Sequence, residues 1–194
     1  MKKPLQDPSR FWRLGPPAVS ALLLLLMALK PNSVGGAGVY LGWILSVPLF
    51  GLYLLATSAL LWAWAGQDPQ SRSQSQNGWR VGDFWVSALL LVFCLKTLTG
   101  WPRPLGAMDG FPSGHSTLAF GLAWLVAQMR PRLAPLWFAL ALAIAWSRVE
   151  VQAHFDYQVA VGALLGCALA AATIHARGGV LLPRVLGWRG RSRV

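Results

Sequence analysis

Residues 82–129 read GDFWVSALLLVFCLKTLTGWPRPLGAMDGFPSGHSTLAFGLAWLVAQM, in which two apolar runs flank a segment rich in Pro and Gly. The runs cover about 82–100 and 114–129, and their lengths approach that of a membrane-crossing helix. Lys96 and Arg103 place fixed positive charges at the join. Because a buried cation is costly in a membrane, such residues usually serve a function there. This stretch therefore predicts membrane helices with a charged site at one end.

The composition of the whole chain has the same character. Hydrophobic residues make up 55% of the 194 residues and charged residues 12%, with a mean hydropathy of +0.49, which argues against a soluble protein. We expect one all-α membrane domain over residues 1–194, a bundle of six transmembrane helices. The predicted spans are 15–30, 39–66, 82–100, 114–129, 133–150 and 155–175.

The positive charges predict the orientation of these spans. With the N-terminus inside, all but four of the 17 Lys and Arg residues fall in cytoplasmic segments, as the positive-inside rule requires. Both termini are expected in the cytoplasm, and a secretory signal peptide is the alternative for the first span. The predicted segments are a cytoplasmic tail at 1–14, a cytoplasmic loop at 67–80, an extracytoplasmic catalytic loop at 96–115 and a basic cytoplasmic tail at 176–194.

The net charge of +11 raises the question of nucleic-acid binding. Contact with anionic membrane lipids and the orientation signal explain this charge better, so we expect no nucleic-acid partner. Cys94 and Cys167 both fall in apolar spans, where a thiol packs as a small apolar group, and no disulfide is expected.

Three short motifs carry the chemistry, and each falls at the predicted outer end of a span. They are K-x6-R-P at 96–104, P-S-G-H at 112–115 and S-R-x5-H at 147–154. Fixed cations and aimed N–H groups stabilise the charge that grows on the oxygens of a transferring phosphoryl group. Two imidazoles beside them can supply a nucleophile and an acid. The motifs therefore predict a site that binds and cleaves a phosphate ester or anhydride.

The order and spacing of these motifs resemble the type 2 phosphatidic acid phosphatase and haloperoxidase superfamily over roughly residues 84–170. The resemblance implies a lipid phosphatase of the bacterial inner (plasma) membrane, acting on undecaprenyl diphosphate, phosphatidylglycerophosphate or phosphatidic acid. No cofactor and no metal are implied, since Lys and Arg supply the positive charge. A lipid phosphotransferase and a catalytically weak lipid-binding or lipid-moving protein of the same fold remain alternatives.

The resemblance also implies a role for each motif residue. His154 is expected to attack phosphorus and form a phosphohistidine, with His115 as general acid and base. Gln158 stands where the superfamily usually has Asp, and its carbonyl oxygen is expected to accept the other ring N–H of His154. The residues expected to bind phosphate are Lys96, Arg103, Ser113, Gly114 and Arg148, of which Arg148 also assists catalysis.

Four further residues have simpler interpretations. Asp156 is expected to lie at the membrane interface or to contact substrate, with a solvated surface carboxylate as the alternative, and His175 is expected to be structural. Gly162 and Gly166 form a G-x-x-x-G pair, which favours close packing of helices.

Overall fold

A computed structural model describes residues 15–20, 36–65 and 74–175 of the chain. All the regular secondary structure in these ranges is helical, so the all-α prediction is confirmed there. After a helical stretch at 15–20, the helices are α1 (Gly36–Ser46), α2 (Pro48–Ala65), α3 (Gln74–Thr99), α4 (Gly114–Met129), α5 (Ala134–Glu150) and α6 (Asp156–His175), with a short 3-10 turn at Pro131–Leu133 before α5.

Four stretches of the described chain are long and apolar enough to cross a membrane, and they match the second, third, fifth and sixth predicted spans. They are Gly38–Ala65, Trp79–Thr99, Pro131–Glu150 and Asp156–His175. The fourth predicted span corresponds to α4, whose 16 residues extend about 24 Å. The first predicted span, 15–30, lies mostly outside the described residues.

Two predicted boundaries differ from the structure. The span 39–66 is broken between Ser46 and Pro48, because proline has no N–H to continue the helical hydrogen-bond ladder. The predicted loop 67–80 is partly helical, since α3 already begins at Gln74. Extending an existing helix adds one hydrogen bond per residue, so the polar residues that precede this apolar run can join it. Residues 67–73 of the predicted loop lie outside the described ranges.

The central helix of the bundle is α4, which packs against α2, α3, α5 and α6. Its closest neighbour is α6, where Gly166 lies directly against the main chain of Thr117 and Gly121. A methyl group at Gly166 would overlap the Thr117 carbonyl, and one at Gly162 would lie 2.5 Å from the Ser113 carbonyl. The predicted close packing at this glycine pair is therefore confirmed, and it brings the starts of α4 and α6 together.

Helix α2 is tied to the bundle by polar side chains that face inward. Tyr53 donates a hydrogen bond to the Ala119 carbonyl of α4 at 2.8 Å. Thr57 accepts one from the indole N–H of Trp137 on α5 at 2.9 Å. Buried polar groups need such partners, so these bonds fix the position of α2 against α4 and α5. The start of α2 is thereby placed beside the start of α4.

Candidate active site

The predicted site residues meet at one end of the bundle. Lys96 lies in the last turn of α3, His115 in the first turn of α4, Arg148 in the last turn of α5, and His154 just before α6. Lys96 and Arg148 are close enough for their positive charges to act on both His115 and His154, and the two histidines are close enough to interact electrostatically. Residues that are far apart in sequence are thus gathered into one cluster.

The S-R-x5-H motif forms a tight turn that returns the chain to the end of α5. The carbonyl of Arg148 accepts hydrogen bonds from the N–H groups of Ala153 at 3.0 Å and His154 at 3.1 Å. Gln152 takes a positive φ of 53° in this turn. The spacing of the motif therefore sets His154 beside the helix end that carries Arg148.

The P-S-G-H motif begins α4 with an N-cap. The Ser113 hydroxyl accepts from the N–H of Ser116 at 3.5 Å and from its hydroxyl at 3.2 Å. The Ser113 N–H donates to the Gln158 carbonyl at 3.0 Å, so this amide is already engaged. Of the amide donors predicted for Ser113 and Gly114, the Gly114 N–H at the positive end of the helix is the one left for an anion. Phosphate binding by either residue stays a prediction.

The loop between α3 and α4 folds back so that Arg103 on the loop lies near Lys96 at the end of α3. The Lys96 ammonium donates to the Asp109 carbonyl, and Arg103 Nη2 lies 3.5 Å from the same oxygen. The Nε atoms of Arg103 and Arg148 are buried without a hydrogen-bond partner among the described residues. Since buried donors are normally satisfied, two such guanidinium groups indicate a binding site for an anion.

His154 is buried, and both acceptors at its Nδ1 are oxygens. The Gly110 carbonyl lies 2.7 Å away and Gln158 Oε1 lies 3.2 Å away. The amide of Gln158 is itself oriented, because its Nε2 donates to the Pro102 carbonyl at 2.9 Å and to the Tyr157 hydroxyl at 3.3 Å. The predicted contact between Gln158 and His154 is therefore present. Nδ1 must carry the proton, which leaves the lone pair on Nε2.

The surroundings of His154 also keep it neutral. Its pKa is lowered to about 4, mainly by burial and also by the positive charges of Lys96, Arg148 and Arg103, whereas the hydrogen bond with Gln158 acts in the opposite direction. The depressed pKa means that the unprotonated imidazole predominates above pH 4. A neutral imidazole with a free Nε2 among three cations is suited to attack on a bound phosphate.

His115 is held by residues that the sequence analysis missed. Its Nε2 lies 3.1 Å from the Ser46 carbonyl, and its ring packs on Phe50 with centroids 4.1 Å apart. Pro48, in the middle of an apolar span, was the sequence signal for a break at this point.

Gly110 was also missed by the sequence analysis. A Cβ there would lie 2.8 Å from both the Gln158 amide and the Pro102 carbonyl, so only glycine allows the loop to approach so closely. Its place in the loop between two motifs was the available signal.

The remaining predicted residues lie apart from this cluster or at its edge. Asp156 is half-buried at the start of α6, and its Oδ1 is buried without a partner among the described residues. His175 lies at the far end of α6, where its Nδ1 is 2.8 Å from the Ala171 carbonyl.

Comparison with known proteins bears on this site directly. A family model described as the PAP2 superfamily matches residues 77–180, a range that contains all three motifs. The chain is also similar to the bacitracin transport permease protein BcrC of Bacillus licheniformis, with 38% identity over 58 residues. That match covers 30% of this chain and 29% of the relative, and no solved structure matches the chain. Ser46 and Phe50 lie outside the region matched by the family model.

Proposed function

We propose that this chain, which belongs to the PAP2 superfamily, hydrolyses a lipid phosphate or lipid diphosphate through a phosphohistidine at His154. Members of the superfamily are phosphatases, and membership supports a membrane lipid phosphatase in general terms. The four apolar stretches long enough to cross a bilayer agree with a substrate that resides there. The mechanism and the substrate class are the proposal.

The observation that carries the proposal is the state of His154. Two oxygen acceptors hold the proton on Nδ1, and burial with three nearby cations keeps the imidazole neutral. Nε2 is then a nucleophile that needs no further deprotonation before attack. The same cations attract a phosphate, so nucleophile and electrophile are drawn to one place.

The first displacement transfers the phosphoryl group to His154. The lone pair of Nε2 forms a bond to phosphorus while the bond from phosphorus to the leaving oxygen breaks. The leaving oxygen keeps that electron pair and takes a proton from His115, whose protonated form is favoured by the negative charge of the bound phosphate, and His115 becomes neutral. The product that departs is a lipid alcohol, or a lipid monophosphate if the substrate is a diphosphate.

The second displacement returns the enzyme to its starting state. A water oxygen attacks phosphorus, one water proton passes to neutral His115, and the electron pair of the bond between nitrogen and phosphorus returns to Nε2. Inorganic phosphate is released, and His115 again carries the proton that the next turnover requires. Replacing water by the hydroxyl of a second lipid would give the phosphotransferase alternative.

The cations stabilise both displacements. Arg103 and Arg148 can each bind two phosphate oxygens through planar forks, and Lys96 supplies a compact charge. The Gly114 N–H adds a donor at the positive end of α4. These groups are in position before the reaction, so they stabilise the developing charge with little reorganisation.

The surface around the site suits an apolar substrate. Exposed apolar side chains at the end of α3 and on the loop that follows it belong to Leu98, Trp101, Leu105 and Met108. Such a rim can contact the lipid chain while the phosphate reaches the arginines. If the site faces out of the cell, as the charges predict, a polyprenyl diphosphate carrier such as undecaprenyl diphosphate is the favoured substrate within the lipid class.

A second candidate is a lipid-moving protein with little catalysis, and the one observation that favours it is that the similar protein from Bacillus licheniformis is named for transport. One experiment separates the two functions. Purified protein in detergent would be given undecaprenyl diphosphate, phosphatidylglycerophosphate and phosphatidic acid, and inorganic phosphate would be measured. We expect release from at least one lipid, inhibition by vanadate, an unchanged rate with EDTA, and no release by His154→Ala.

Two results would contradict the proposal. Activity that EDTA abolishes and magnesium restores would remove the metal-independent histidine mechanism. Lipid movement across vesicles without phosphate release, unaffected by His154→Ala, would favour the lipid-moving alternative.

The proposed orientation has its own test. After replacement of Cys94 and Cys167, a single cysteine at the exposed position Asp109 should react with a membrane-impermeant thiol reagent in intact cells. A cysteine at Arg132, exposed at the opposite end of the bundle, should not react. The reverse pattern would place the site in the cytoplasm and remove the case for an extracytoplasmic carrier lipid.

A further inference from the structure

At the junction between α1 and α2, one main-chain carbonyl forms a hydrogen bond with an active-site residue. Pro48 cannot donate a hydrogen bond, and the ladder is interrupted there. Val47, which lies between the two helices, bonds to both: its N–H donates to the Trp43 carbonyl and its carbonyl accepts from the Gly51 N–H, each at 3.2 Å. The Ser46 carbonyl instead accepts from His115 Nε2 at 3.1 Å.

The junction is firmly placed against the helix that carries Arg148. On α1, a Cβ at Gly42 would lie 3.0 Å from the Val151 side chain and 3.5 Å from the Ser147 carbonyl. Ser46 is only 2% exposed. The Phe50 ring covers the imidazole of His115 from the α2 side. The carbonyl that meets His115 therefore belongs to a packed interface between helices.

A carbonyl oxygen can only accept, so the hydrogen bond decides the tautomer of His115. Nε2 must carry a proton in both the neutral and the protonated ring. Nδ1 is then the nitrogen that gains and loses a proton. His154 is arranged in the opposite way, with its proton on Nδ1 and its lone pair on Nε2.

We propose that the break at Pro48 positions His115 for proton transfer, with the Ser46 carbonyl keeping a proton on Nε2 so that Nδ1 serves the leaving group. Phe50 packs on the ring and restricts its rotation. This inference rests on the proposed phosphatase function and extends it to a segment outside the family match. Ser46, Pro48 and Phe50 are positioning residues, since they act through His115.

The kinetic test compares leaving groups. Pro48→Ala gives residue 48 an N–H and allows the helix to continue. The Phe50 N–H could then donate to the Ser46 carbonyl, and His115 would lose this acceptor. We expect kcat/KM for the lipid substrate to fall on the order of tenfold, and the rate with an activated aryl phosphate to change little, because a good leaving group needs no acid. Phe50→Leu should show the same pattern with a smaller loss.

A matched control and a double variant separate positioning from general damage. Pro135→Ala removes a proline from the first turn of α5, at the other end of the bundle, and should affect both substrates little. In a His115→Ala background, Pro48→Ala should cause no further loss, since residues that act through one group are not additive. Additive losses, or equal losses on both substrates, would overturn the proposal.

A spectroscopic readout does not depend on activity. In the wild-type protein with ¹⁵N-labelled histidine, assigned with His115→Ala, neutral His115 should carry its proton on Nε2, and Pro48→Ala should give a mixture of tautomers. A wild-type proton on Nδ1 would overturn the inference even if the enzyme is active. An Nε2 proton in a protein that releases no phosphate would instead contradict the proposed function and leave the tautomer assignment standing.

Discussion

The two histidines of the site are held by different parts of the chain. His154 Nδ1 is bound by Gly110, 44 residues earlier, and by Gln158, four residues later. His115 Nε2 is bound by Ser46, 69 residues earlier. The first set lies within the region of the family match and the second precedes it. The proposed nucleophile, His154, is therefore oriented by residues within the motif region, whereas the proposed proton-transferring residue, His115, is held by a helix junction outside that region.

The largest expected difference in activity is between the variants that remove the imidazole ring of His154 and of His115. His154→Ala removes the covalent route and should reduce phosphate release to background on every substrate. His115→Ala should cost about 10²–10⁴-fold on a lipid substrate, yet retain most of the rate on an activated aryl phosphate. Steady-state kinetics on both substrates checks this. Equal losses on the two substrates with His115→Ala would mean that His115 only binds phosphate.

Gly110→Ala should disturb the environment of His154 and leave that of His115 intact. The added methyl group would press on Gln158 and Pro102 and displace the carbonyl that holds Nδ1. A shift on the order of 1 Å in a reacting group costs about 10²-fold in rate, and the loss should appear with both classes of leaving group. Gly51→Ala is the control, because a Cβ at Gly51 meets nothing within 4 Å. A near-normal rate with Gly110→Ala would show that the Gly110 contact is dispensable.

Gln158→Asp should change the pH dependence of the nucleophile. His154 must be neutral to attack, and its pKa is lowered to about 4, so activity falls as the pH drops through that value. In the wild-type protein Gln158 Oε1 lies 3.2 Å from Nδ1. A carboxylate at residue 158 would favour the imidazolium and raise this pKa, so the acid limb of kcat/KM should move upward on the order of one unit. An unmoved limb with an unchanged rate would show that residue 158 does not act on His154.

The smallest effect concerns the helix that carries Phe50. Thr57→Val removes the hydroxyl that accepts from the Trp137 indole and leaves that N–H without its partner. The free energy of unfolding should fall by about 1–3 kcal/mol, whereas kcat on either substrate should change little. Denaturation in detergent and the two kinetic assays measure this. A loss specific to the lipid substrate would extend the positioning role from the start of α2 to its middle.

Much of this arrangement could be predicted from local patterns. The apolar runs gave the four stretches that match candidate membrane spans, because hydropathy over about 20 residues depends on composition alone. The contact of Gln158 with His154 could also be predicted, since it joins residues only four apart. The start of α3 at Gln74 could not, because whether polar residues extend a neighbouring helix depends on that helix.

The sequence by itself determined the helical class, the convergence of three cations and two histidines, and the chemistry that such groups can perform on a phosphate. These follow from the type and spacing of residues. Only the tertiary structure decided which ring nitrogen of each histidine is engaged. That choice depends on the carbonyls of Gly110 and Ser46. Every residue has a main-chain carbonyl, so the residue type does not show which carbonyl will contact a histidine. Their positions are set by helix packing, and packing brings together atoms from remote parts of the chain.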